Sequence, residues 1–95
     1  MEQKTFIITD ELGLHARPAT ILTQVAGKYD SDILIEFGEK SVNLKSMMGV
    51  LSLGVKQNDE ITIKADGSDA EEAIKSLNET LVEQKLIDEK EQDED

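Results

Sequence analysis

The sequence predicts an α+β fold: an open-faced β-sandwich in which a four-stranded, mostly antiparallel sheet carries three helices on one face. Three observations predict it. Strand and helix periodicities succeed one another along the 95-residue chain in the order β-α-β-β-α-β-α. The strand segments alternate apolar and polar residues, so one sheet face is expected to meet solvent and the other to be covered. The two longer helical segments each carry one apolar stripe, the pattern of a helix lying on a sheet.

The first strand is expected over Lys4 to Thr9, a run rich in β-branched and aromatic residues. Asp10 to Leu14 reads as a polar turn containing Gly13. Ala16 to Ala26 reads as a helix, with Ile21, Leu22, Val25 and Ala26 at helical spacing. Pro18 falls in its first turn, where a missing N–H costs nothing, and Gly27 is the expected terminator. Ile33, Ile35 and Phe37 alternate with Leu34 and Glu36 as a second strand. Gly38-Glu39-Lys40 turns the chain into a third strand, Ser41 to Leu44. A short helix is expected from Met47 to Leu53, capped by Ser46 and stopped by Gly54. Asp59 to Ala65 reads as the fourth strand, with Ile61 and Ile63 inward. Ser68 and Glu71 have the spacing of a capping box. Behind them Ala70, Ala73, Ile74, Leu77 and Leu81 form the stripe of a last helix that fades near Ile87. With no internal repeat and no linker, residues 1–87 are expected to form one domain.

Composition narrows the function. A chain of this size has little room for a deep substrate cavity beside a core, which favours a module working through its surface. There are no cysteines, so disulfides and thiolate metal sites are excluded, and a lone histidine leaves no metal site beyond what carboxylates offer hard cations. No apolar run approaches the ~20 residues that span a bilayer, and a soluble, cytoplasmic monomer is expected. The net charge of −11 makes nucleic acid and anionic membranes poor partners. Of that charge, −5 lies in the last eight residues, Asp88 to Asp95, which are expected to form a disordered acidic tail.

His15, the only histidine, lies in Gly13-Leu14-His15-Ala16-Arg17-Pro18-Ala19, immediately before a helix. A helix N-terminus offers unpaired N–H groups and the positive end of the macrodipole, a field that favours a neutral ring and an added phosphoryl dianion. A neutral ring keeps the lone pair that nucleophilic transfer requires. Arg17 could offer its guanidinium to the phosphoryl oxygens. The plainer reading is an ordinary polar residue at a helix start and a solvated arginine, and spacing alone does not decide between them.

Ser46 poses a similar choice. Capping accounts for it, yet a serine at a helix N-terminus is also a place where a phosphoserine would be accommodated. The helix it precedes is apolar nearly all round, through Met47, Met48, Val50, Leu51 and Leu53. Either that helix is deeply embedded or part of it forms an exposed docking patch.

Together the two motifs resemble the HPr family, the histidine-containing phosphocarriers of the bacterial phosphoenolpyruvate-dependent sugar phosphotransferase system. The first is Gly13-Leu14-His15-Ala16-Arg17-Pro18-Ala19. The second is Val42-Asn43-Leu44-Lys45-Ser46-Met47-Met48-Gly49-Val50-Leu51-Ser52-Leu53-Gly54, and the similarity extends over residues 2–87. The resemblance implies that His15 takes a phosphoryl group on a ring nitrogen from enzyme I and donates it to sugar-specific IIA domains, assisted by Arg17, with no cofactor. It implies a docking surface that includes Pro18, Thr20, Met47, Met48 and Leu51. The Ser46 context resembles that of Gram-positive members, in which HPr kinase/phosphorylase modifies the serine and the product is a corepressor for catabolite control protein A. A module acting mainly through phospho-Ser46 is the alternative. A regulatory paralogue in the family lacks the histidine, and His15 is present here. An independent enzyme such as a histidine phosphatase would need several cations and a general acid, whereas only Arg17 lies near His15 in sequence.

The acidic tail is longer than is typical of the family, and it contains no apolar side chain. Deleting Asp88 to Asp95 is therefore expected to leave thermal unfolding almost unchanged. A loss beyond about 1 kcal/mol would mean that the tail docks on the body.

Overall fold

A computed structural model describes residues 1–88. The expected tail, apart from Asp88, lies outside the described residues. The elements are β1 (Glu2–Ile7), α1 (Ala16–Ala26), β2 (Asp32–Phe37), β3 (Lys40–Asn43), α2 (Met47–Ser52), β4 (Glu60–Asp66) and α3 (Ala70–Glu83). They form the expected four-stranded open sheet with three helices, in the spatial order β1-β4-β2-β3. All three strand pairs are antiparallel, with Phe6 opposite Ile61, Ile35 opposite Ile63 and Ile35 opposite Val42.

Alternation decides which face is covered. Phe6, Ile33, Ile35, Ile61, Ile63 and Ala65 point one way and are buried. Beneath the helices they join Leu22, Leu77 and Leu81 in one apolar cluster. The opposite face is mostly polar, although Ile7 and Leu34 are exposed on it. There the Thr5 and Thr62 hydroxyls pair at 3.0 Å across β1 and β4, and Lys64 bridges to Glu36 at 3.0 Å across β4 and β2. On the covered face α1 presents Pro18, Ala19, Leu22 and Ala26, and α3 presents Ala70, Ala73, Leu77 and Leu81, each set at helical spacing. No helix among the described residues is long and apolar enough to cross a membrane.

Several boundaries differ from expectation, each for a local reason. β1 starts at Glu2 and ends at Ile7, two residues earlier than its β-branched run, because backbone pairing along the β4 edge does not require apolar side chains. Ile8 and Thr9 leave that ladder. Ile8 donates to the Asp59 carbonyl at 2.9 Å and forms an isolated bridge with Ile87, and Thr9 N–H donates to the Leu86 carbonyl at 2.8 Å. The β2–β3 loop has two residues, Gly38 and Glu39, with Lys40 already paired to Phe37, so β3 spans Lys40–Asn43 rather than Ser41 to Leu44. Gly38 supplies the positive φ (62°) that so tight a hairpin needs at its first position. β4 runs one residue later than expected, and α2 ends at Ser52 with Leu53 as its cap. Gly27 follows α1 in an ordinary right-handed conformation (φ −65°), so its left-handed freedom is not what stops the helix.

The expected capping box at α3 is absent. The N-cap is Asp69, and its carboxylate makes no cap hydrogen bond. It turns instead to the segment before β2, accepting from the Asp30 N–H at 2.9 Å, the Ser31 N–H at 3.0 Å and the Ser31 hydroxyl. A long-range clamp has displaced the local cap. α3 ends at Glu83, but the chain remains packed to Ile87: Lys85 takes a left-handed conformation (φ 59°), and Leu86 N–H returns to the Leu81 carbonyl at 2.9 Å. This turn brings Gln84 and Leu86 alongside the end of β1.

The Ser31 hydroxyl, and after it the Asp30 and Ser31 N–H groups, hold the Asp69 carboxyl below its ordinary value. The unfolded chain therefore binds this proton more readily than the folded one. The clamp's contribution is complete above the ordinary carboxylate range near pH 4 and is lost as pH falls through and below it. Asp69→Asn is expected to lower the melting temperature at pH 7 and to weaken the acid limb of the stability profile, as measured by thermal unfolding from pH 7 to pH 2.5. An acid limb identical to the wild type's would show that the clamp contributes nothing.

Candidate functional site

The site begins with a backbone constraint. Gly13 has φ +67°, and a Cβ placed on it would lie 2.3 Å from the Val55 carbonyl oxygen and 2.8 Å from Lys56 Cα. Glycine lets the 10–14 turn press against the loop before β4, and Leu14 N–H then donates to the Val55 carbonyl at 3.1 Å. The turn is tied twice more, by Gly13 N–H to the Asp10 carbonyl at 3.0 Å and by Leu12 N–H to Asp10 Oδ2 at 3.0 Å. With Leu14 buried behind it, His15 has one place to go.

His15 is the N-cap of α1, with extended backbone (φ −80°, ψ −174°), and its carbonyl accepts the first helical bond from Ala19 at 3.0 Å. Its side chain makes no cap hydrogen bond, so capping does not consume the ring. The Ala16 and Arg17 N–H groups have no helical carbonyl behind them, and Pro18, third in the helix, contributes no N–H. An anion bound here would meet unpaired donors at the positive end of the dipole. The His15 side chain is 38% exposed, enough for a partner to reach the ring. With Asp10, Leu12, Arg17, Pro18, Gln84 and Leu86 it lines an open depression of about 550 Å³. Arg17 lines the same depression as His15, while Pro18 is buried and offers a partner only its edge of the depression.

Three of these neighbours were not legible in the sequence. Gln84 and Leu86 arrive through the fold of the α3 terminus. Asp10 Oδ2 stands 3.9 Å from His15 Nε2, with its side chain 31% exposed. The available signal was a carboxylate within the glycine turn, five residues ahead of the histidine.

The second motif is placed close by. Ser46 caps α2, its hydroxyl oxygen accepting from Gly49 N–H at 3.1 Å. Val50 and Leu53 are buried, Met47 packs partly against the core, and Met48 (81%) and Leu51 (41%) are exposed. The short helix is therefore embedded on one side and bare on the other. On α1 the exposed Thr20 hydroxyl donates to the Ala16 carbonyl at 2.8 Å, and its oxygen lies 3.5 Å from Met47 Sδ. The helix that His15 opens is thus in contact with the helix that Ser46 opens.

This arrangement offers a reachable imidazole at a helix start, a guanidinium in the same depression, and a bare apolar patch around the neighbouring helix. The comparisons with known proteins agree with it. The family model described as the phosphorylation site of the phosphotransferase system HPr component matches residues 2–83. The chain is similar to the histidine-containing phosphocarrier protein of a Mycoplasma, with 46% identity over 90% of this chain and 98% of that one and a TM-score of 0.89. It is similar to HPr from Thermoanaerobacter tengcongensis, with 46% identity over 90% and 96% and a TM-score of 0.84. It is also similar to the phosphocarrier protein HPr of Bacillus anthracis, with 43% identity over 83% and 94% and a TM-score of 0.78.

The Ser46 cap sets a stability expectation. Ser46→Ala removes the acceptor for Gly49 N–H and should cost about 1 kcal/mol, while Ser46→Asp keeps an acceptor and should stay within about 0.5 kcal/mol of the wild type. Urea unfolding of the two variants checks this, and an alanine variant as stable as the wild type would show that the bond is idle.

Proposed function

The chain belongs to the HPr family of phosphocarriers of the phosphotransferase system, and on that premise we propose that His15 is its phosphoryl acceptor, loaded by enzyme I and unloaded by sugar-specific IIA domains. The observation that carries this reading is the placement of His15. It is the N-cap residue of α1, its ring is unused in capping and partly exposed, and Arg17 shares its depression. A ring nitrogen gives its lone pair to phosphorus as the donor's bond to phosphorus breaks, and the donor keeps that bond's electron pair. Arg17 and the first N–H groups of α1 then face the three oxygens of a phosphoryl dianion, a charge-assisted arrangement. The same steps in reverse unload the carrier, so nothing is turned over by the chain alone.

The patch formed by Thr20, Met47, Met48 and Leu51, with the edge of Pro18, is the surface on which enzyme I and IIA domains dock in turn. Exposed methionine and leucine supply apolar area that adapts to several partners. Ser46 is the regulatory site, modified by HPr kinase/phosphorylase and then read by catabolite control protein A. Its support is position: it opens the helix that carries the bare patch. Residues 1–87 act as the carrier domain, in the cytoplasm and as a monomer, and the acidic tail is an appendage to it.

One assay tests the carrier and its regulation. With phosphoenolpyruvate and enzyme I, the wild type is expected to take up one acid-labile, alkali-stable phosphoryl group per chain, and His15→Ala none. Ser46→Asp is expected to load at least several-fold more slowly at limiting enzyme I with its melting temperature unchanged, because an anion beside the docking face opposes association. Nitrogen-linked label in the alanine variant would overturn the assignment of His15. Equal loading rates for Ser46→Asp would remove Ser46 from the docking surface.

A further inference from the structure

We propose that Asp10 is a positioning residue for His15: its carboxylate holds the ring proton on Nε2 and so presents Nδ1 as the nitrogen that takes the phosphoryl group. The inference deepens the carrier reading and rests on it for the transfer step alone.

The geometry has three parts. Asp10 Oδ2 lies 3.9 Å from His15 Nε2, on that side of the ring. The separation is too long for a direct hydrogen bond, but a carboxylate at this range still favours the tautomer that turns an N–H toward it. Catalytic contacts that are loose in an unliganded protein also commonly tighten when the partner binds. Next, the carboxylate is anchored before any ligand arrives, since the same Oδ2 accepts from Leu12 N–H at 3.0 Å in a turn closed by Gly13 N–H to the Asp10 carbonyl at 3.0 Å. Finally, among the residues lining the depression only Asp10 and Arg17 are charged, and the third element at this site, the turn after α3, contributes the neutral Gln84 and the apolar Leu86. The two charges suit two tasks, the anion steadying the ring and the cation steadying the phosphoryl group.

The step balances without moving a proton. The Nδ1 lone pair forms the bond to phosphorus, and the donor's bond to phosphorus breaks, its pair staying with the donor. Nε2 keeps its hydrogen, so the ring becomes positive as the bond forms, and the Asp10 carboxylate faces that developing charge. On unloading, the bond from Nδ1 to phosphorus breaks, its pair returns to Nδ1, and the ring is neutral again with the proton still on Nε2. The carboxylate's charge favours loading; on unloading its role is to keep the proton on Nε2, so that a neutral imidazole leaves and not an imidazolate.

The test is Asp10→Asn, with Asp10→Glu as the conservative variant. Asparagine retains an acceptor for Leu12 N–H, so the turn survives. Nitrogen-15 correlation spectra of the unphosphorylated chain near pH 8, where an ordinary histidine is neutral, read the two tautomers directly. The wild type is expected to be dominated by the Nε2–H form, with Asp10→Asn lowering the ratio of Nε2–H to Nδ1–H by about threefold to tenfold and Asp10→Glu restoring part of it. Loading by enzyme I should slow by a similar factor in kcat with KM little changed. A merely structural residue would move melting temperature and leave the tautomer ratio alone. An unchanged tautomer ratio in Asp10→Asn overturns the proposal. A wild type that takes no label overturns the carrier reading instead, because the tautomer measurement requires no relay partner.

Discussion

Everything at the site depends on the close approach of Gly13 to the Val55–Lys56 backbone. Any side chain at position 13 would collide with backbone atoms that cannot step aside. Because the approach is that tight, Leu14 can both bury its side chain and donate to Val55, and His15 is left as the N-cap of a helix instead of one more residue in a loop. The turn is held by backbone hydrogen bonds, the Asp10 carboxylate and the buried Leu14, while the side chains of Asp10 and His15 remain partly exposed and that of Arg17 exposed. A carrier that must be met by one protein and then another needs this combination, a reactive group held still on a surface left open.

The second helix motif extends the same logic. A six-residue helix has little intrinsic stability, so α2 must be held by its ends and one face. Ser46 closes the N-terminal end, and Val50 and Leu53 sink into the core. What remains bare, Met48 and Leu51, is left over from that anchoring and lies on the helix that Thr20 and Met47 join to α1. His15, Ser46 and the bare apolar patch therefore sit on two helices in contact, which is what the proposed coupling of Ser46 to the docking face requires.

The architecture was legible in the sequence because it is written in periodicity. The alternation of Ile61 and Ile63, the helical spacing of Ala73, Leu77 and Leu81, and the Ser46 cap were read correctly, since each depends on neighbours a few residues away. The misreadings share the opposite cause. Ser68 and Glu71 have the spacing of a capping box, but the Asp69 carboxylate engages Ser31 and Asp30, 38 and 39 residues away, and no local pattern reports that. β1 extends into Glu2 and Gln3 because its partner strand is there to pair with. At the site, spacing made His15 and Arg17 candidates and the family resemblance gave them roles, whereas Gln84 and Leu86 depend on the left-handed turn at Lys85 and the bridge from Ile8 to Ile87. Asp10 was close enough in sequence to be noticed but reads as a turn residue, and only the folded turn brings its carboxylate to the ring.

The central claim is that one nitrogen of the only histidine carries phosphorus between proteins. Phosphorus-31 spectra of the chain labelled with nitrogen-15 histidine, recorded after incubation with phosphoenolpyruvate and enzyme I and again after a IIA domain is added, test it most directly. The account predicts a single phosphorus resonance split by one ring nitrogen of His15, which disappears as the phosphoryl group passes to the IIA domain. A resonance without nitrogen coupling, or one that persists undiminished beside a competent IIA domain, would contradict it.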